Sequence, residues 1–447
     1  MAGNEKVGTK PPRRDAMGAA LAVLNRLAST TVLDRFGLRK PVERTVYEAT
    51  KTGFTAVGAA SRTFAATTKL GKPGRLPKAP DTGLFDLTPT DEQQMIRDTV
   101  VDFAAEKLRP VAADADAKCE TPQELLSLTA ELGVTLVGVP EDLGGVGSER
   151  SAVTNVLIAE AMAHGDMGLA VACLAPSAVS TALVLWGDAE QQSTYLPSFV
   201  GESVPAAALA IQEPRALFDP FALKTKAFRT PGGFTIEGVK SLVPRAAQAE
   251  LFIVSADLDG RGPALFLVES GSKGVSVESE PAMGLRAAAL GKLHLDKVTL
   301  PATALLAEGK ADAYAECVRL ARIGWCALAV GTGQAVLDYV IPYVNDRVAF
   351  GEPVSHRQGV AFKVADIGIE LESMRLLTYR AASRAEQGKT YAREAALARK
   401  LCSDKGMMIG NDGVQLLGGH GFVKEHPVER WYRDLRAVGL VEGIVLV

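Results

Sequence analysis

The chain changes its hydrophobic rhythm twice, and that order restricts its fold more than any single motif. From Thr88 the stretch TPTDEQQMIRDTVVDFAAEKLRPVAADAD offers Thr and Asp as caps and places Met95, Val100, Phe103 and Leu108 at helical spacing, with Pro110 near its end. Alanine-rich helical segments continue to about residue 200. Between 206 and 309 the runs FTIEGVKSLV, ELFIVSADL, ALFLVES, GVSVES and KLHLDKVTLP are short, rich in β-branched residues and separated by Gly, Asp or Pro, which is the pattern of strands. After 310 long helical patterns return and run to the last thirty residues. Helices, then strands, then helices predict an α+β chain, mainly α, in segregated segments rather than the alternation of a doubly wound sheet.

The front of the chain stands apart by charge. Residues 1–80 hold 15 Lys and Arg against 5 Asp and Glu, so +10, which leaves −13 for the rest of a chain whose total is −3. Segments 16–37 and 41–68 carry apolar residues at three-and-four spacing, with Pro41 where a second helix would start, and GKPGRLPKAPDTG at 71–83 reads as a linker. The expected organisation is a basic helical extension with its linker over 1–83, an N-terminal helical domain over 84–205, a β-domain over 206–309 and a helical bundle over 310–447. For residues 16–68 two roles are expected: packing over the protein's own bundle or dimer seam, or peripheral contact with an anionic membrane.

Several function classes are excluded on pattern. Five scattered cysteines with no C-x-x-C spacing argue against a zinc site or disulfide framework and fit a reducing compartment. Five dispersed histidines give no metal cluster, and the basic arm is interleaved with apolar rather than aromatic residues, a poor nucleic-acid signature. Gly331-Thr332-Gly333 lies inside a helical pattern with no strand before it, so it reads as small residues for close helix packing and not as a dinucleotide loop. No run of 18 uninterrupted apolar residues occurs, and charges and prolines occupy the first residues, so a cytoplasmic location, or a peripheral one at the membrane, is expected.

Seven landmarks then recur in a familiar order: LTPTDEQQMIRDTVVDFAAEKLRP, LGVTLVGVPEDLGGVGS, the Gln212-Glu213-Pro214 turn, EGVKSLV, MGLRAAALGKLHLDKVTLP, DRVAFGEPVSHRQGVAFKVADI and QLLGGHGFVKEHPVERWYRDLRAVGLVEG. From about residue 86 onward the chain resembles the acyl-CoA dehydrogenase family. The resemblance implies an N-terminal helical domain, a central β-barrel and a C-terminal four-helix bundle, with FAD and an acyl-CoA thioester between barrel and bundle. It implies electron-transfer flavoprotein as the redox partner, and a homodimer, a dimer of dimers or a heteromer with a related subunit.

The chemistry so implied needs a carboxylate to take the α-proton of the thioester while the β-hydrogen leaves as hydride. Glu442 stands where the family's base stands, in Val441-Glu442-Gly443-Ile444, and is the only acid in the last thirteen residues. A second family position for the base, before the arginine that aligns with Arg322, is Ala321 here. The resemblance gives the backbone N–H of the same glutamate to the thioester oxygen and makes Arg322 and Gly443 part of the substrate site. For FAD it implies Gln212 near the ring, Arg347 and Phe350 from DRVAFG reaching the dinucleotide across the dimer interface, and Gln415, Gly418 and Gly419 from QLLGGHGF at the ADP half.

Other positions depart from the family. Leu217-Phe218 stand for its Gly-Ser pair, Leu242 for its flavin-stacking tryptophan, and Pro244 and Ile444 for two threonines. Two readings therefore stay open: an FAD-dependent acyl-CoA dehydrogenase, or a non-catalytic or half-site subunit that binds acyl-CoA or assembles with an intact relative.

Overall fold

The protein is described by a computed structural model over residues 87–146, 150–201 and 203–447; the segments 16–37, 41–68 and 71–83 discussed above lie outside these described residues. Helix α1 (Asp91–Phe103) opens on a capping box in which Thr90 Oγ1 accepts the Gln93 N–H and the Gln93 amide oxygen accepts that of Thr90. A π-helical turn, Ala104–Leu108, carries it into α2 (Arg109–Lys118). Pro110 therefore does not end the helix: it sits in the first turn beyond the π-turn, where a missing N–H costs little. Helices α3 (Gln123–Glu131) and α4 (Val134–Val137) follow, then α5 (Ala152–Gly165), α6 (Met167–Trp186) and α7 (Ala189–Phe199). Both α5 and α6 are apolar almost all round and mostly buried, as interior helices must be.

The middle segment is a curled seven-stranded sheet of β1 (Ala207–Ala210), β2 (Lys226–Thr230), β3 (Gly233–Val243), β4 (Leu251–Leu258), β5 (Pro263–Glu269), β6 (Val275–Ser279) and β7 (Gly291–Pro301). Strands β1 and β2 lie in turn along one edge of β4, both parallel to it, and β5 runs antiparallel along the other. Alternation along β4 and β5 divides two cores. Leu251, Ile253, Leu265 and Leu267 join the helices, whereas Phe252, Val254, Phe266 and Val268 fill the inside of the curl. The β3–β7 ladder slips between Lys240 and Val243, where Leu242 takes a left-handed φ of 55°. Such a bulge sharpens the local bend and turns the end of β3 toward the helices.

The last segment holds α8 (Ala311–Asp346), the hairpin β8 (Val348–Ala349) and β9 (Glu352–Pro353), α9 (Gln358–Glu386), α10 (Ala392–Leu416) and the short α11 (Val428–Leu435). A Cβ on Gly331 would collide with the Glu160 carbonyl, so the small residues of Gly331-Thr332-Gly333 do serve the close approach of α8 to α5. Helix α11 is tied down by two ion pairs and a hydrogen bond to the backbone. Arg430 Nε donates to Asp166 Oδ2 at 2.8 Å, Arg433 grips both oxygens of Asp116 at 2.9 Å, and Asp434 Oδ1 accepts the Leu285 N–H at 2.6 Å. Those partners belong to the N-cap of α6, to α2 and to the sheet segment, so one short helix joins all three segments. The chain leaving it runs directly into Val441-Glu442-Gly443.

Candidate active site

Four pieces of chain meet at Glu442, which is 8% exposed. From α8 comes Arg322, whose Nε lies 3.0 and 3.1 Å from the two carboxylate oxygens and whose Nη2 lies 2.7 Å from Oε1. Burial works against the Arg322 cation, but its bonds to Glu442 outweigh this and hold it above the ordinary arginine value. From α10 comes Arg399, whose Nη2 donates to the Val441 carbonyl at 2.7 Å and lies 3.8 Å from Glu442 Oε1. From the turn after β1 comes Gln212, whose Oε1 accepts the Glu442 backbone N–H at 3.1 Å. Glu442 is thus met as half of a bidentate ion pair, not as a lone carboxyl in an apolar pocket.

The backbone around it is closely specified. Gly443 has φ 79°, and a Cβ there would press on Ile211 at 3.0 Å, so the Glu-Gly step needs its glycine on two counts. Trp325 Nε1 donates to the Gly443 carbonyl at 2.9 Å. Ile444 follows with φ 75°, a left-handed conformation that a β-branched side chain adopts only against strain, held here by its own burial.

Gln212 is itself held from below. Lys240, fully buried on β3, donates to the Ile211 carbonyl at 3.2 Å, to Glu213 Oε1 at 3.2 Å and to Ser255 Oγ at 3.0 Å. Glu213 also accepts the backbone N–H groups of Lys224 and Thr225 at 2.9 to 3.0 Å. An amine and a carboxylate buried side by side are tolerable because each is hydrogen-bonded as well as paired. Burial still pushes the Lys240 amine down to about 8.

Of the residues singled out in the sequence, Gln212, Arg322, Glu442 and Gly443 come together at this point. The others form a second group at the end of α8. Arg347 caps α8, with its N–H on the Tyr343 carbonyl, and Tyr343 Oη in turn bonds the Leu417 carbonyl and His420 Nδ1 at 3.3 and 2.7 Å. That brings the QLLGGHGF segment, with Gln415, Gly418 and Gly419, beside the last turn of α8. Phe350 sits on the β8–β9 turn with φ 56° and is 96% exposed.

The fit of FAD differs between the two groups. At the second, Arg347, Gln415, Gly418 and Gly419 are exposed, Arg347 has no carboxylate within 4 Å among the described residues, and nothing stands within 4 Å of a Cβ built on either glycine. An uncovered guanidinium beside bare backbone suits a pyrophosphate and its nucleoside. At the first group the chain's polar atoms satisfy one another. Gln212 bonds Glu442, the Ser241 N–H goes to the Gln212 carbonyl, the Leu242 N–H goes to Glu280 Oε2 at 2.6 Å, and Pro244 has no N–H to give. Leu217 points fully into solvent, and Phe218 packs under Arg215 at 5.2 Å. The residues fit the dinucleotide end; at the ring end the Gln212 amide oxygen is engaged by Glu442, which leaves the amide nitrogen of Gln212 as its donor to a ring.

Sequence reasoning missed Arg399 and Lys240. Arg399 lies on the helical face marked by buried Ala395, Ala398 and Cys402, and a charge on such a face was the available signal.

Models of the acyl-CoA dehydrogenase N-terminal, middle and C-terminal domains match residues 90–203, 208–298 and 312–444. The short/branched chain specific acyl-CoA dehydrogenase of Rattus norvegicus mitochondria is 32% identical over 362 residues, which cover 79% of this chain and 83% of that one. The butyryl-CoA dehydrogenase of Megasphaera elsdenii superimposes with a TM-score of 0.74 at 30% identity, over 80% of this chain and 96% of the other. The FAD complex of PigA does so with a TM-score of 0.74 at 25% identity, over 80% and 96%. The order of segments, the domain matches and these likenesses agree: the chain belongs to the acyl-CoA dehydrogenase family of oxidoreductases.

Proposed function

We propose that the protein desaturates an acyl-CoA thioester, with Glu442 taking the α-proton onto a carboxylate oxygen. The observation that carries this reading is the convergence at one residue of a buried carboxylate and a backbone N–H that already binds an amide oxygen. An α-proton is acidic enough to remove only if the thioester oxygen is hydrogen-bonded as the charge develops, and the Glu442 N–H is placed to do that once Gln212 turns aside. Arg322 holds the carboxylate until substrate is in place, and the α-proton can transfer only when that grip has opened on one oxygen. FAD, when bound, supplies the acceptor for the β-hydrogen as hydride, with Arg347, Phe350, Gln415, Gly418 and Gly419 holding its ADP half. Electrons then pass to an electron-transfer flavoprotein, and the exposed second group points to a homodimer or dimer of dimers that covers it. The absorption spectrum of the purified protein tests the reading: acyl-CoA should bleach a flavin band, and Glu442→Gln should keep the colour and abolish bleaching. A colourless protein that takes up no FAD would overturn it.

A second reading has its own observation. The Arg322 pair, the Gln212 cap and the strained Ile444 together close the site on itself. A subunit that has given up catalysis and serves as an acyl-CoA-binding or assembly module would show these features, and it would co-purify with an intact relative. Full activity of a homo-oligomer would remove this reading.

A further inference from the structure

We propose that Arg399 is a positioning residue for the peptide between Val441 and Glu442, gripping its carbonyl so that its N–H is presented as a strengthened donor to the thioester oxygen. The inference rests on the reading of Glu442 given above.

The Val441 carbonyl and the Glu442 N–H belong to one planar unit and point in opposite directions. On one side Arg399 Nη2 donates to that carbonyl at 2.7 Å; on the other the N–H reaches Gln212 Oε1 at 3.1 Å. Gln212 Oε1 is an amide carbonyl oxygen, so it marks where a thioester carbonyl oxygen would be received. A cation hydrogen-bonded to the carbonyl draws electron density along the unit and leaves the N–H more positive, and in a buried site that polarisation is not screened by water. The peptide between Gly443 and Ile444, two further on, is fixed by Trp325 on the Gly443 carbonyl, which limits how far the donor can swing when Gln212 leaves.

The division of labour between the two arginines supports this. Arg322 takes the carboxylate bidentately, whereas Arg399 stays 3.8 Å from it and spends its short bond on the backbone. Its side chain is only 11% exposed, and its Nη1 is buried with no hydrogen-bond partner. A buried guanidinium left partly unsatisfied is costly, and the backbone contact is the close hydrogen bond that it makes.

The test is the carbonyl stretch of a non-oxidisable acyl-CoA analogue, carbon-13 labelled at the thioester, bound to the FAD-loaded full chain. In the unaltered protein the band should move to lower frequency than in water. Arg399→Met should lose a substantial part of that displacement and lower kcat about 10- to 100-fold, on the scale of a weakened oxyanion donor, with KM little changed. Arg399→Lys, which keeps a cation able to reach the carbonyl, should recover much of both, and the neutral Arg399→Gln decides the matter if the methionine variant does not fold. An undiminished displacement in Arg399→Met, or in Arg399→Gln where it stands in, would overturn the role of Arg399 while leaving Glu442 as the base. No displacement and no bleaching in the unaltered protein would overturn the reading of Glu442, and this inference with it.

Discussion

Arg322 and Glu442 are joined by three contacts of 2.7 to 3.1 Å, the guanidinium lying edge-on across both carboxylate oxygens. Charge-assisted bonds of this geometry, with the carboxylate side chain only 10% exposed, are among the stronger polar contacts a protein makes. A double-mutant cycle with Arg322→Met and Glu442→Gln, read by chemical denaturation, should return a coupling of about 1.5–3 kcal/mol. A coupling near zero would mean that the pair does not persist in solution.

Removing the Gln212 side chain frees the Glu442 N–H for ligand. With Gln212→Ala, binding of a non-oxidisable acyl-CoA analogue should tighten by roughly 2- to 10-fold, the worth of one hydrogen bond of about 0.5–1.5 kcal/mol no longer contested. Calorimetric titration measures this directly, and weaker binding would show that Gln212 helps the ligand instead of competing with it.

Arg347 is exposed, so its replacement touches little else. Arg347→Gln should leave the thermal midpoint of the FAD-free protein within about 1 °C, since surface changes are nearly neutral, while FAD retention falls at least 10-fold, about 1.4 kcal/mol. Equal retention on gel filtration would separate this arginine from the cofactor.

Asp434 sets a pH dependence whose sign is opposite to that of most carboxylates. Burial, and then the neighbouring Asp166 carboxylate, push its carboxyl up to about 8, while in the unfolded chain it ionises near the ordinary value of about 4. The folded state therefore holds a proton that the unfolded state has lost. This contribution to stability is full below pH 4 and is lost as pH rises toward 8. Asp434→Asn can still accept the Leu285 N–H but has no proton to exchange. The difference in unfolding free energy between Asp434→Asn and the unaltered protein should then grow in favour of the variant from pH 5 to pH 8, and a constant difference would refute the assignment.

How much of this could be read from the sequence depended on range. The long helices, β3 to β7 and the position of Glu442 follow from periodicity and from the string in which Glu442 sits, because those signals are local. Strand β1 is AALA, a sequence with little β-propensity, and it is a strand only because β4 offers a parallel edge to pair with. The β8–β9 hairpin lay inside DRVAFGEP, where the turn needs a left-handed Phe350 that nothing in the string announces. The ion pair that closes the site joins residues 120 positions apart, and the Gln212 contact spans 230, so neither could be seen as spacing. Lys240 in EGVKSLV looked like an ordinary strand lysine, and its burial is made tolerable by the carboxylate of Glu213, in the turn after β1.

That buried lysine carries a consequence for chemical damage. Acyl thioesters acylate free amines, and an amine pushed down to about 8 is more often unprotonated, hence more nucleophilic near neutrality, than an ordinary lysine. Among the lysines of the described residues, the one whose amine is pushed down is thus sealed completely from acyl-CoA, with three hydrogen bonds on its nitrogen. Acyl marks should collect on open lysines such as Lys400, whose side chain is 75% exposed. A mark found on Lys240 would record that the curled sheet had come apart while thioester was present.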